Sequence, residues 1–167
     1  MSSGHTGIRG GSALAALLLV VALVTTGLVT DHARAAEEVT PRDKMLALTN
    51  QDRTERDKKA LKLNAKLSRY AARHSEDMAD AGKLVHTSAK ALARKLNRLD
   101  LNWTSAGENI GWSTADGTVD ETLSSLQHAF MRSTAHRKNI LNAAYDHAAT
   151  GVFESDGEVW VTVIFYG

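Results

Sequence analysis

The sequence predicts an α+β domain: a three-layer α-β-α sandwich with a small antiparallel sheet that ends in a C-terminal hairpin. Three observations support this prediction. Apolar residues recur at helical spacing through much of the chain, two apolar alternating segments close it, and the last of these is apolar on both faces. A strand that is apolar on both faces is typical of a sheet covered by helices on both sides.

Hydrophobic periodicity predicts the first two helices. The first starts at Met45 and carries Asn50 and Arg53 on neighbouring turns, where we expect both side chains to hydrogen-bond loops. In the second, apolar positions recur every three or four residues. Gly82 is placed to end that helix in the left-handed conformation. The stripe of the second helix consists of Leu63, Leu67, Ala71, His74 and Met78.

Three shorter patterns predict the remaining helices. Thr118 and Glu121 have the spacing of a capping box, which opens a helix whose apolar stripe ends at Phe130. Ser133 is placed to cap one more short helix, with His136 in its first turns. The third helix of the chain is marked by Leu92, Leu96 and Leu99.

The end of the chain predicts the hairpin. Segments 149–154 and 158–166 are rich in β-branched and aromatic residues, and they flank Asp156 and Gly157. An Asp-Gly pair suits a tight turn with positive φ. Because both faces of the second segment are apolar, we expect it to be the central strand.

The N-terminal part predicts export. Residues 13–24 are all apolar, and the small-x-small pattern at 33–35 is typical of signal-peptidase sites, so residues 1–35 are interpreted as a signal peptide. The alternative is an uncleaved membrane anchor, since the apolar run approaches the roughly 20 residues that span a bilayer. Residues 36–43 are interpreted as a linker and residues 44–167 as the domain, which is secreted or extracytoplasmic in either case.

Composition limits the function. The chain has no cysteine, which excludes a thiol nucleophile, thiolate metal ligands and a disulfide-stabilised module. Basic residues outnumber acidic ones between Lys58 and Arg98, a bias that is consistent either with polyanion binding or with solvated helix faces. No phosphate loop or nucleic-acid module is present, so we expect no nucleic-acid partner, and we expect a monomer.

Three residues are the candidates for a functional site. His86 lies in the loop after the second helix, Glu108 at the expected start of a strand, and His136 near a helix N-terminus, where the helix dipole favours the neutral imidazole. Two imidazoles and a carboxylate could bind zinc with an open fourth position, hold a ligand or a proton without metal, or form a polar cluster of structural value.

Other polar and aromatic residues are interpreted as structural. His74 lies on an apolar stripe and is predicted to be a core histidine with satisfied hydrogen bonds. Ser133 is predicted to cap a helix, because no base and oxyanion hole for a hydroxyl nucleophile are evident. The tryptophans expected in the core or in cleft walls are Trp103, Trp112 and Trp160.

A series of short motifs, taken in order, resembles the CAP superfamily (cysteine-rich secretory, antigen 5 and pathogenesis-related proteins; the SCP domain) in its cysteine-free bacterial form. The resemblance covers roughly residues 44–167 and implies a cleft lined by two His and two Glu, which hold zinc in some members. His86 and His136 match the two His and Glu108 the first Glu, while Ser133 stands where the second Glu would be. The motifs are Asn50-x-x-Arg53, Gly107-Glu-Asn-Ile, Ser133-x-x-His-Arg-x-Asn-Ile-Leu, Gly151-Val and Phe165-x-Gly.

The resemblance leads to two expectations about function. The first is an exported, non-enzymatic binding module whose ligand is a small apolar lipid, a divalent metal such as zinc, or a cell-wall component. The second is a metal-dependent hydrolase or peptidase that uses His86, Glu108 and His136. The second carboxylate is missing from the set, which argues against hydrolysis because a general base is needed beside the metal ligands.

Overall fold

A computed structural model describes residues 39–115 and 117–167, so the predicted signal peptide lies outside the described residues. Within them no helix is long and apolar enough to cross a membrane. The helices are α1 (Pro41–Thr54), α2 (Ala65–Asp80), α3 (Ala89–Arg98), α4 (Val119–Arg132) and α5 (Thr134–Ile140). The strands are β1 (Lys62–Leu63), β2 (Ala106–Thr114), β3 (His147–Ser155) and β4 (Glu158–Tyr166).

The sheet has the strand order β1-β3-β4-β2, with β4 central and almost entirely buried, as predicted. β3 and β4 form the predicted hairpin, and its turn residues have positive φ, 52° at Asp156 and 74° at Gly157. One detail differs from the expected antiparallel sheet. The short strand β1 pairs with β3 in parallel, so the sheet is mixed at that edge.

Helices cover both faces of the sheet, which confirms the three-layer sandwich. On one face, α2 and α3 pack over alternate sheet residues, and on the other face α1, α4 and α5 pack over the residues between them. Core residues of the first face include Leu67, Ala71, Leu92, Leu96, Ala149 and Ile164. Those of the second include Met45, Leu123, Phe130, Ile140, Val161, Val163 and Phe165.

Two helix boundaries differ from the prediction, because capping side chains set them. α1 begins at Pro41, inside the predicted linker, since the Thr40 side chain accepts a hydrogen bond from the Asp43 amide. α2 begins after Asn64, which caps it, and Leu63 belongs to β1 instead of the α2 stripe. Local polar chemistry therefore overrides the hydrophobic pattern at both positions.

Arg53 has the loop-binding role that the sequence predicts, and its side chain is fully buried. Its Nε donates to the carbonyl of Lys59 at 2.8 Å, and its Nη1 donates to the carbonyls of Ile140 and Asn142 at 2.6 and 3.0 Å. Nη2 donates to the carbonyl of Tyr145 at 3.2 Å. One guanidinium thus fixes α1 to the end of α5 and to the segment that leads into β3.

Asn50 holds a second loop, also as predicted. Its side-chain amide donates to the carbonyl of Leu61 at 3.0 Å, and its side-chain oxygen accepts from the Leu61 amide at 2.7 Å. This reciprocal pair sets the path of the chain into β1. Together with Arg53 it ties the segment before β1 and the segment before β3 to α1.

We expect Arg53→Lys to lower the free energy of unfolding by about 2–4 kcal/mol, because a single ammonium cannot reach all four carbonyls and leaves buried acceptors unpaired. Urea unfolding monitored by circular dichroism measures this change. Arg56→Lys is the matched control on the exposed side of the α1 C-terminus, with an expected change within about 0.5 kcal/mol. Equal effects of the two substitutions would contradict the proposed role of Arg53.

Candidate functional site

Glu108 is the centre of the candidate site. It is the third residue of β2 and pairs in register with Ile164, which places it on the sheet face that α2 covers. Its side chain is only 5 % exposed. One carboxylate oxygen, Oε1, lies 2.9 Å from His86 Nδ1 and accepts a hydrogen bond from the Thr87 amide at 2.9 Å. The carboxylate therefore binds the loop that follows α2 through both a ring and the backbone.

The end of α2 directs this loop towards Glu108. Gly82 has a φ of 58°, as predicted for a left-handed cap. Its amide donates to the carbonyl of Ala79 at 3.0 Å, and the Lys83 amide donates to the carbonyl of Met78 at 3.0 Å. These two bonds form a Schellman motif, which ends the helix and reverses the chain.

His136 lies in the helical layer on the other face of the sheet. It belongs to the first turn of α5, and its ring packs edge-on against Phe130 at 4.8 Å between centroids. α5 is fixed to β2 by two asparagines. Asn109 Nδ2 donates to the carbonyl of His136 at 3.1 Å, and Asn139 Nδ2 donates to the carbonyl of Glu108 at 3.2 Å. β2 is an edge strand, so α5 is fixed at the edge of the sheet.

The structure thus joins His86 and Glu108 directly, and His136 lies near enough to His86 for their charges to interact. Among residues 39–115 and 117–167, no group of three or more His, Cys, Asp or Glu side chains is arranged to hold a metal ion. His86 uses one ring nitrogen on Glu108. As arranged, the three side chains do not form a ready ligand set, and zinc binding stays a prediction.

His74 is the site residue that the sequence analysis missed. It was expected to be a satisfied core histidine, but its buried Nε2 has no hydrogen-bond partner. This nitrogen lies 4.0 Å from Glu108 Oε2, which is also buried and also without a partner. The prediction was right that His74 is on the inner face of its helix. The helical stripe could not show that this face meets a carboxylate.

Tyr70 connects His74 to the His86 loop. The two rings are parallel, with an interplanar angle of 2° and a centroid distance of 6.3 Å. The Tyr70 hydroxyl lies 3.3 Å from the Thr87 hydroxyl, and the Thr87 amide donates to Glu108. α2 therefore supports the site through both His74 and Tyr70.

Ser133 and the tryptophans have structural positions. Ser133 is the N-cap residue of α5, as predicted, but its side chain makes no capping hydrogen bond. Trp160 is buried and stacks on Trp112 at 5.3 Å. Trp103 is half-buried beside α3, and its Nε1 donates to the side chain of Asn97 at 2.8 Å.

The pKa of His136 lies below its ordinary value of 6.5, first because burial penalises the charged ring and second because His86 adds positive charge nearby. The direction agrees with the sequence prediction, which invoked the helix dipole. A lowered pKa keeps the imidazole neutral at physiological pH.

The model of the cysteine-rich secretory protein family, CAP, matches residues 46–165. The chain belongs to the CAP family. It is 34 % identical to the uncharacterized protein YkwD of Bacillus subtilis over 119 residues, which are 70 % of this chain and 44 % of YkwD. The matched range includes the segments that carry His86, Glu108 and His136.

Solved structures of similar proteins show the same fold. An extracellular protein with an SCP domain from Bacillus anthracis is 26 % identical with a TM-score of 0.60, over 75 % of this chain and 40 % of its own. A cysteine-rich secretory protein from Staphylococcus aureus is 24 % identical with a TM-score of 0.57, over 75 % and 38 %. The CAP chain described here spans less than half the length of each of these relatives.

We expect His136 to make the protein less stable in acid. Its pKa is lower in the folded than in the unfolded state, so the unfolded state binds more protons, and stability falls as the pH drops below about 6.5. His136→Gln should reduce the difference in unfolding free energy between about pH 7.5 and about pH 5, measured with urea. His128→Gln, on an exposed part of α4, is the control and should leave that difference as in the parent protein. If His136→Gln showed the same difference in unfolding free energy between the two pH values as the parent protein, His136 would not be the cause of the acid sensitivity.

Proposed function

We propose that this CAP domain is an extracytoplasmic binding module that takes a small lipid-like molecule with a hydroxyl group at the loop carrying His86. Its location is supported by the signal-peptide pattern of residues 1–35 and by the relative described as an extracellular protein with an SCP domain. The observation that carries the proposal is the placement of the exposed apolar side chains.

Three of the four exposed large apolar residues in the described part of the chain lie on the two segments that carry His86 and Glu108. The four are Val39 at the start of the domain, Leu84 and Val85 beside His86, and Trp112 on the strand of Glu108. Leu84, Val85 and Trp112 are 39, 49 and 43 % exposed. Exposed apolar side chains clustered around polar groups are typical of ligand-binding surfaces.

His86 supplies the polar contact that such a ligand would need. In the neutral form of His86, the ring proton sits on Nδ1 and is donated to Glu108 Oε1, and Nε2 is left as an acceptor. The His86 side chain is 57 % exposed. An acceptor favours a ligand hydroxyl, whereas a fatty-acid carboxylate brings no donor and is repelled by Glu108.

We expect the purified protein to bind a long-chain alcohol, with 1-dodecanol as the probe in isothermal titration calorimetry, and to bind dodecanoate more weakly. Leu84→Ser combined with Val85→Ser should weaken alcohol binding by about tenfold or more, because each substitution removes apolar surface that the bound ligand would bury. Val39→Ser, which changes an exposed apolar residue elsewhere, is the matched control and should leave the affinity within about twofold.

Equal affinities of the two serine variants would show that the alcohol does not bind at the His86 loop. Equal binding of the alcohol and the carboxylate would contradict the role given to His86 Nε2. Failure of the parent protein to bind either probe would refute the proposal for this ligand class.

The second candidate function is a metal-dependent hydrolase or peptidase. It is supported by the hydrogen bond between His86 and Glu108, which brings two of the three expected ligand side chains together. Zinc would supply a Lewis acid, with His86, Glu108 and His136 as its ligands. The arrangement of these residues argues against it, as described above.

A melting experiment tests this second candidate. If zinc binds, a hundredfold excess over Kd stabilises the fold by about 2.7 kcal/mol and raises Tm by several degrees. His86→Ala and His136→Ala should each remove this rise, while His128→Ala should keep it, and the rise should shrink as the pH falls through about 6.5. An unchanged Tm with zinc would exclude the metal-dependent function.

A further inference from the structure

A groove with basic walls lies between α2 and α3, apart from the exposed apolar residues near His86. Its volume is about 330 Å³. Three of its cations, at positions 66, 69 and 73, recur at helical spacing along one face of α2 and span about 10 Å of that helix. The residues that line the groove are Lys66, Arg69, Tyr70, Arg73, Lys95 and Leu99.

No acidic side chain of the described residues lines this groove, and α3 contains none. The nearest acidic residues in the sequence are Glu76 and Asp77, one turn after Arg73, and Asp100, next to Leu99. Within the described ranges, the ion pairs involve other residues, and no carboxylate pairs with a cation of the groove. A concave surface lined by one sign of charge concentrates the electrostatic potential and attracts ions of the opposite sign.

Lys95 is held in place at the floor of the groove. Its ammonium lies 4.4 Å from the centre of the Tyr70 ring, over its face. A cation–π contact of this kind fixes the position of the charge without neutralising it. Lys95 therefore faces the α2 cations from α3, and a ligand in the groove would meet positive charge from both helices.

We propose that this groove binds a linear polymer of phosphodiesters, of the kind that forms anionic cell-wall polymers. Phosphate groups along a chain match a row of cations, and the guanidinium groups of Arg69 and Arg73 can donate two hydrogen bonds each to a phosphate. A linear polymer can lie along a groove. On an ordinary solvated helix face, by contrast, cationic and acidic side chains are interspersed.

Two other polyanions fit the groove less well. A membrane surface favours apolar residues beside the cations, but none of the exposed large apolar residues of the described chain lines the groove. Single-stranded nucleic acids stack on free aromatic faces, but the Tyr70 ring is engaged by Lys95 and stacked with His74.

The test compares two charge-reversal variants of the full chain in binding to poly(glycerol phosphate), measured by calorimetry at several salt concentrations. Arg69→Glu with Arg73→Glu changes the groove. Arg94→Glu with Arg98→Glu makes the same change in net charge on exposed residues of α3 that do not line the groove. The groove variant should lose about tenfold or more in affinity, and its salt dependence should fall by roughly one unit of slope per removed cation.

The control variant should stay within about threefold of the parent protein, and Tm values should show that both variants fold. Equal losses in the two variants would mean attraction by net charge alone, which overturns the groove. Absence of parent binding to the polymer overturns it as well. Two further results would overturn the proposal: phosphatidylglycerol vesicles, or single-stranded oligothymidylate, could bind as tightly as the polymer. In either case, the groove substitutions would also have to weaken that binding.

Discussion

The buried guanidinium of Arg53 is the interaction on which the arrangement of the other elements depends. Burial lowers its pKa, yet a guanidinium stays charged in proteins, so its desolvation must be offset by hydrogen bonds. The carbonyls of four residues provide these bonds, and they come from two segments, one at Lys59 and one at residues 140–145. One of those carbonyls belongs to Ile140, the last residue of α5, and another to Asn142 just after it, so the position of that helix is set from α1.

The position of α5 in turn determines the environment of Glu108. Asn139, on α5, donates to the main chain of Glu108 and to the side chain of Asn109, and Asn109 donates back to the main chain of His136. The carboxylate itself points to the opposite face, where it meets the α2 side. All three layers of the sandwich therefore contribute to the site at the edge strand β2. The chemistry of Glu108 is accessible only through the loop of His86, because its own oxygens are buried.

Features that depend on neighbouring residues could be predicted from the sequence. The Asp-Gly turn, the capping box of Thr118 and Glu121, the left-handed Gly82 and the doubly buried β4 each follow from local chemistry and periodicity, and all four are present. Features that depend on distant partners could not be predicted. The parallel strand β1 forms because β3 lies beside it. The buried Nε2 of His74 can be recognised as part of the site only from its distance to Glu108.

Tyr70 belongs to both surfaces to which a function is assigned here. Its ring lies under Lys95 in the basic groove and stacks beside His74, and its hydroxyl contacts Thr87 in the His86 loop. Because one rigid ring touches both, a substitution of Tyr70 would disturb the groove and the site together and could not separate them. Arg69 and Arg73 are free of this ambiguity, since they line the groove from exposed positions of α2. A loss of polymer binding there, with alcohol binding intact, would establish two independent surfaces on one CAP domain.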